Sequence, residues 1–178
     1  METDDIKNYN VIESLRDQRT LTIRAIRPDD KGLVIEGLKK VSAESLYRRF
    51  LSIRKELTAE DLKKVTEVDF VNVVALVAIL EKDGNEQIVG GGRYIRTSGQ
   101  SAEVAFLIGD TFQGLGIGSL LFRHLVAIAR DSGITQFEAD VLPSNEAMLK
   151  VFSRSGIPVT RTVTRESVQV LMDLAGEE

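Results

Sequence analysis

The chain has 178 residues, 43% of them hydrophobic and 28% charged, and a formal net charge of −4. This is the composition of one ordinary globular domain, and the negative balance argues against a protein whose main task is to hold nucleic acid through its phosphates. Cysteine is absent and His124 is the single histidine, which excludes disulfides, thiolate catalysis and multi-histidine metal sites, so no bound metal is expected.

Residues 1–19 read as a polar leader. The opening METDDIKNYNVIESL is acidic and lacks the basic start and apolar run of a signal peptide, and the longest apolar run, Val73 to Leu80, is too short to cross a bilayer. The expected compartment is the cytoplasm, and the folded domain is expected over residues 20–174, with 175–178 as a tail. Residues 20–26, TLTIRAI, alternate as a first strand that Arg27 and Pro28 close. Asp29 and Asp30 are placed to cap a helix in which Leu33, Val34, Gly37, Leu38 and Val41 recur at helical spacing. Ser42 starts a second short helix, AESLYRRFL, and TAED at 58–61 is a capping-box pattern for a third.

The run NVVALVAIL is rich in β-branched residues and reads as a strand buried on both faces. A turn built on Asp83 and Gly84 leads into IVGGGRYIR, and TSGQS turns that strand into AEVAFLIG, giving three antiparallel strands in succession. TFQGLGIGSLL follows. Leu120, Leu121, Leu125, Ile128 and Ala129 then mark one face of a helix that Ser132 and Gly133 end. FEADVL alternates as a further strand, Asn145 opens a helix that Gly156 stops, and VTRTVT and SVQVLMDL close the chain as a hairpin. The order is mixed α/β (α+β), with a mostly antiparallel central sheet flanked by helices.

Gly114, Gly116 and Gly118 sit at alternate positions directly before a helical pattern, where glycine costs stability and needs a local reason. A loop without side chains lets backbone N–H groups reach an anion while the helix points its positive end at it. The spacing GxGxG, late in the chain, is not the Rossmann GxGxxG, and no lysine follows for a P-loop.

Read from Gln113, QGLGIG satisfies QxxGxG. With strand AEVAFLIG before it, a helix and strand FEADVL after it, and then the Asn-led helix NEAMLKVFSRSG, the chain resembles the GNAT acyltransferases (Gcn5-related N-acetyltransferases). The resemblance implies acetyl-CoA as acyl donor. Gln113, Gly114, Leu115, Gly116, Ile117, Gly118 and Ser119 would form the diphosphate loop, and the strand through Phe106, Leu107 and Ile108 would offer its backbone to the pantetheine arm. Asn145 looks like the family's pantetheine-contacting asparagine, and a helix N-cap is an equally good reading of it. Many members carry a tyrosine general acid where this chain has Phe152; the resemblance keeps Phe152 among the cofactor-binding residues, and the acid's role is vacant, filled by water, or unnecessary because CoA thiolate is a tolerable leaving group.

An amine acceptor must lose a proton before it attacks a thioester. Glu103, at the start of the strand expected to line the cleft, is the first choice of base, and a solvated strand end is the alternative. Glu138 and Asp140 are reserves that also fit a solvent-facing stripe. His124 reads as structural, and Arg48, Arg49, Arg54 and Lys55 read as a solvated basic face or a contact for acceptor or 3′-phosphate. ESLYRRFL, LTAEDL and EVDF, with AEVAFLIGDTFQGLGIGSLL, resemble the bacterial Pat-type protein lysine acetyltransferases without their fused regulatory domain. In that subfamily the strand-start glutamate is the base and acyl-CoA synthetases are protein substrates. The expected acceptor is therefore a protein lysine, with no nucleic-acid or membrane partner, while a small-molecule amine acetyltransferase and a non-catalytic acyl-CoA sensor remain alternatives.

Overall fold

The computed structural model describes residues 1–50 and 57–176, and no side chain from 47 to 50 is described. Helix α1 (Thr3–Lys7) is followed by strands β1 (Asn10–Ser14) and β2 (Thr20–Ala25) and helices α2 (Lys31–Lys39), α3 (Ala43–Phe50) and α4 (Ala59–Thr66). Strands β3 (Val73–Lys82), β4 (Asn85–Ser98) and β5 (Ser101–Ile108) come next, then α5 (Ile117–Asp131), β6 (Gln136–Val141), α6 (Glu146–Ser153), β7 (Val159–Val163) and β8 (Val168–Asp173). The described strands form one sheet of eight in the order β1-β2-β3-β4-β5-β6-β8-β7, antiparallel throughout except for β5 and β6.

Residues 1–19, read as a leader, therefore contribute a helix and an edge strand that pairs with β2 from Asn10↔Arg24 to Ser14↔Thr20. The closing hairpin forms, but β8 rather than β7 pairs with β6, so the last strand inserts beside the parallel pair. The helix starts are those the caps prescribe. Thr58 and Asp61 exchange backbone and side-chain bonds of 3.1 and 3.0 Å ahead of α4, and Ser42 Oγ accepts from Ser45 N at 3.1 Å ahead of α3. Asp30 differs from expectation. It lies in a 3-10 turn and its carboxylate holds the Arg24 guanidinium through two 2.8 Å bonds, with both residues 3% exposed.

Strand β3, an inner strand between β2 and β4, is buried from Val74 to Leu80 as its β-branched run requires. It turns into β4 at Asp83 (φ 53°) and Gly84 (φ 78°), the pair of positive values a two-residue hairpin needs. Helix α5 buries Leu121, Phe122, Leu125, Ile128 and Ala129 against one face of the sheet, and α2, with α4 packed beside it, lies on the other. Close approach on the α5 face depends on glycine: a Cβ at Gly92 would stand 2.7 Å from Phe106 Cδ1.

Candidate active site

Strands β5 and β6 pair for only three residues, Ser101↔Gln136, Ala102↔Phe137 and Glu103↔Glu138, although β5 continues to Ile108 and β6 to Val141. Beyond Glu103 the two strands part. The β6-facing backbone edge of Val104 to Ile108 is thus left without a strand partner, while the other edge stays bonded to β4 through Gly90↔Ile108. A cleft of about 250 Å³ occupies this opening and runs to the N-terminus of α5.

The glycine loop closes one end of the cleft. Gly114 (φ 80°) and Gly116 (φ 90°) take left-handed backbone that L side chains avoid, and a Cβ at Gly114 would project into open space. Gly116 is the N-cap of α5 and supplies no side-chain cap, so the first amides of the helix point into the cleft without intrahelical partners. Gly118 serves a different purpose from the other two. It is already helical, and its Cβ position lies 3.6 Å from Val151 Cγ2, which brings α5 and α6 together.

Ten of the twelve residues assigned to cofactor binding line the cleft: Phe106, Leu107 and Ile108 of β5, Gln113, Gly114, Gly116, Ile117, Gly118 and Ser119 of the loop and helix, and Asn145. Gln113 ties the loop to its surroundings, donating from Nε2 to Ile108 O at 3.4 Å and to Ser45 Oγ at 3.5 Å. Asn145 caps α6, its Oδ1 accepting from Met148 N at 3.3 Å, while also facing the cleft. Leu115 and Phe152 are not in the lining. Leu115 meets Arg16 through its carbonyl, and Phe152 is 1% exposed, in ring contact with Phe106 and Phe122 at 6.3 and 5.3 Å.

Glu103 stands at the vertex where the strands part, exposed, with Glu138 as its register partner on the same face. Glu138 Oε1 accepts from Gln136 Nε2 at 3.1 Å, and Asp140 is exposed further along β6. Arg93 of β4 is close enough to interact electrostatically with Glu103; burial pushes the guanidinium below its ordinary pKa and the negative charge of Glu103 opposes that shift. Arg54 and Lys55 lie outside the described residues, as do the side chains of Arg48 and Arg49.

Three basic residues line the cleft that the sequence did not single out: Arg16, Lys150 and Arg154. Arg16 comes from the turn between β1 and β2, inside the presumed leader, and its Nη1 donates to Gly114 O at 3.3 Å. Its Nε lies 3.4 Å from the Cβ position of Gly116. The segment that delivers Arg16 is anchored to α5 by Glu13, which accepts from Arg123 and lies 2.7 Å from His124 Nε2, while His124 Nδ1 meets Tyr9 Oη at 2.5 Å. Burial pushes the Glu13 carboxyl up, but the bonds from Arg123 and His124 outweigh it and hold it below the ordinary range. His124, 8% exposed, is thus a structural residue with two partners.

Helix amides at the start of α5, three basic side chains, an apolar wall and an unpaired strand edge meet in this cleft, the arrangement of an acyl-CoA-dependent N-acyltransferase. Sequence comparison carries the assignment further. The chain belongs to the acetyltransferase (GNAT) family, which matches residues 43–157. It is 36% identical over 136 residues to the acetyltransferase Pat of Mycolicibacterium smegmatis, covering 75% of this chain and 40% of that protein. The chain therefore spans well under half the length of that relative. An acetyltransferase of Pseudomonas aeruginosa is 32% identical over 92% of this chain and 88% of its own. Among solved structures, the GNAT domain of S. lividans PAT superimposes with a TM-score of 0.83 at 35% identity, covering 92% of this chain and 96% of that one. The expected family and its likeness to Pat-type enzymes are borne out.

Among the described residues no group of three or more histidine, aspartate and glutamate side chains is arranged to hold a metal ion, and no helix is long and apolar enough to cross a membrane.

Proposed function

We propose that this chain transfers the acetyl group of acetyl-CoA directly to a lysine side chain of a protein, with Glu103 as general base. The observation that carries the reading is the place of Glu103, on the exposed face at the point where β5 and β6 separate and an unpaired backbone edge begins. When bound, acetyl-CoA supplies a thioester carbonyl open to amine attack. The α5 amides and Arg16 hold its diphosphate, and the free edge of Val104 to Ile108 pairs with the pantetheine amides much as an added strand would. Glu103 takes one proton from the acceptor ammonium, directly or through water, and passes it to solvent. The C–N bond then forms as the C–S bond breaks, and the second nitrogen proton ends on the CoA thiol.

Phe152 leaves no phenol at the family's tyrosine position, and burial keeps it out of the cleft. The CoA thiolate is a stable enough leaving group to depart without a phenol there, and it takes up the second nitrogen proton. Likeness to Pat supports a protein acceptor, for which acyl-CoA synthetases are the first candidates, and residues 20–174 together with β1 form the catalytic unit. The experiment is thiol release from acetyl-CoA in the presence of cell-lysate proteins, followed by mass spectrometry of the modified lysine. Protein-dependent turnover supports the reading. Turnover with free amines alone, or CoA binding without turnover on any acceptor, overturns it.

A further inference from the structure

On the side of β5 away from α5, a second cavity of about 150 Å³ lies between the sheet and helices α2 and α4. Its lining is almost wholly hydrocarbon: Val34 and Leu38 of α2, Val65 of α4, Val77 of β3 and Ala105 of β5. Gly91 of β4 widens it, because a side chain is missing at the middle of the floor. Leu107 and Phe112 line this cavity and the cofactor cleft alike, so the two spaces share a wall beside the strand that holds the acyl donor. The charged groups of the lining are already engaged: Lys40 Nζ donates to Gln87 Oε1 at 2.9 Å, and Arg93 faces the negative charge of Glu103.

Resting on the acyl-CoA reading above, we propose that this cavity receives the hydrocarbon tail of an acyl thioester longer than acetyl, a neutral straight chain of four to six carbons. An apolar space of about 150 Å³ holds a molecule the size of benzene, which sets that upper length. Water gains little in a space with so few polar partners, whereas each methylene placed there leaves water for hydrocarbon contact. The transfer chemistry is unchanged by the tail. The thioester C–S bond breaks, the amide C–N bond forms, and CoA leaves as the thiol with a proton from the amine.

Direct binding tests this without knowledge of the acceptor. Dissociation constants of CoA, acetyl-CoA, butyryl-CoA and hexanoyl-CoA are measured by calorimetry on the full chain and on Gly91→Val. A Cβ at Gly91 would meet Leu76 O at 3.4 Å and Val77 Cγ1 at 4.0 Å, ordinary contacts, so the strand accepts a side chain that fills the floor. In the unaltered protein affinity rises with chain length, by up to about fourfold per methylene. In Gly91→Val that gradient flattens while CoA and acetyl-CoA bind as before. If thermal melting shows Gly91→Val unfolded, Val34→Phe fills the same space from α2. A flat series on top of tight CoA binding overturns the inference alone, as does a gradient that survives in a folded cavity-filled variant. Failure of CoA itself to bind overturns the acyl-CoA reading together with it.

Discussion

Replacing Arg16 by alanine tests the one cleft residue that arrives from the N-terminal segment. Its guanidinium lies over Gly116 and bonds to Gly114 O, at the place assigned to the donor's diphosphate. Two unit charges about 4 Å apart attract by ~1 kcal/mol in water and ~4 kcal/mol at the effective dielectric of a protein surface. Arg16 is exposed, so the lower part of that range applies. A loss of about 1–2 kcal/mol is expected, a five- to thirtyfold rise in the Kd of CoA. The assay is calorimetry at low salt and again near 1 M, where a screening length of ~3 Å largely abolishes the difference between the two proteins. Dephospho-CoA fixes the phosphate concerned: contact with the diphosphate gives the same ratio for both ligands, whereas contact with the 3′-phosphate makes the ratio collapse for dephospho-CoA. Equal affinities of variant and parent at low salt would refute the placement of Arg16 in the donor site.

Gly116→Val places a β-branched side chain at φ 90° against Arg16, so CoA binding is expected to fall by at least tenfold, the equivalent of about 1.4 kcal/mol, and normal affinity in that variant undoes the diphosphate assignment. Asp30→Asn breaks a buried pair with Arg24 and is expected to cost about 3–5 kcal/mol in urea unfolding, while a loss below ~1 kcal/mol contradicts the pairing. Burial pushes the Asp30 carboxyl up, but the bonds from the Arg24 guanidinium and the Arg27 amide outweigh it and leave its pKa below the ordinary value. The pair's contribution is therefore fully present above the ordinary carboxylate range and is lost as pH falls through the lowered folded value. Unfolding midpoints between neutral and acid pH should fall more steeply for the parent than for Asp30→Asn.

What the sequence displayed was local. The glycine loop was legible because positive φ at Gly114 and Gly116 leaves few other residues able to serve, and β3 because its β-branched run has no polar face. Ser42 announced α3 and the Thr58–Asp61 capping box announced α4 because a cap is a contact between residues three apart. Strand β1 was not legible. Its two apolar residues, Val11 and Ile12, are adjacent and Ile12 is 70% exposed, so NVIES carries no apolar alternation, and its strand conformation comes from pairing with β2 and from Glu13 reaching α5 across about a hundred residues of chain. Arg16 was hidden with it. The insertion of β8 beside β6 is a long-range choice that neither strand's own pattern encodes. Asp30 presented itself as a helix cap because its bond to Arg24, six residues away, leaves no mark in the spacing. At the candidate site the reading distinguished strand from loop but not the vertex. Only the register of β5 on β6 shows that Glu103 and Glu138 come side by side and that pairing stops there.

The most direct test of the account is the pH dependence of acetyl transfer in Glu103→Gln beside the parent, with the affinity for CoA measured on the same samples. General-base loss predicts a fall in kcat of about 10²–10⁴ near neutral pH, a partial recovery at high pH where the acceptor amine is already neutral, and an unchanged Kd for CoA. A kcat equal to the parent's across the pH range would contradict the assignment of Glu103.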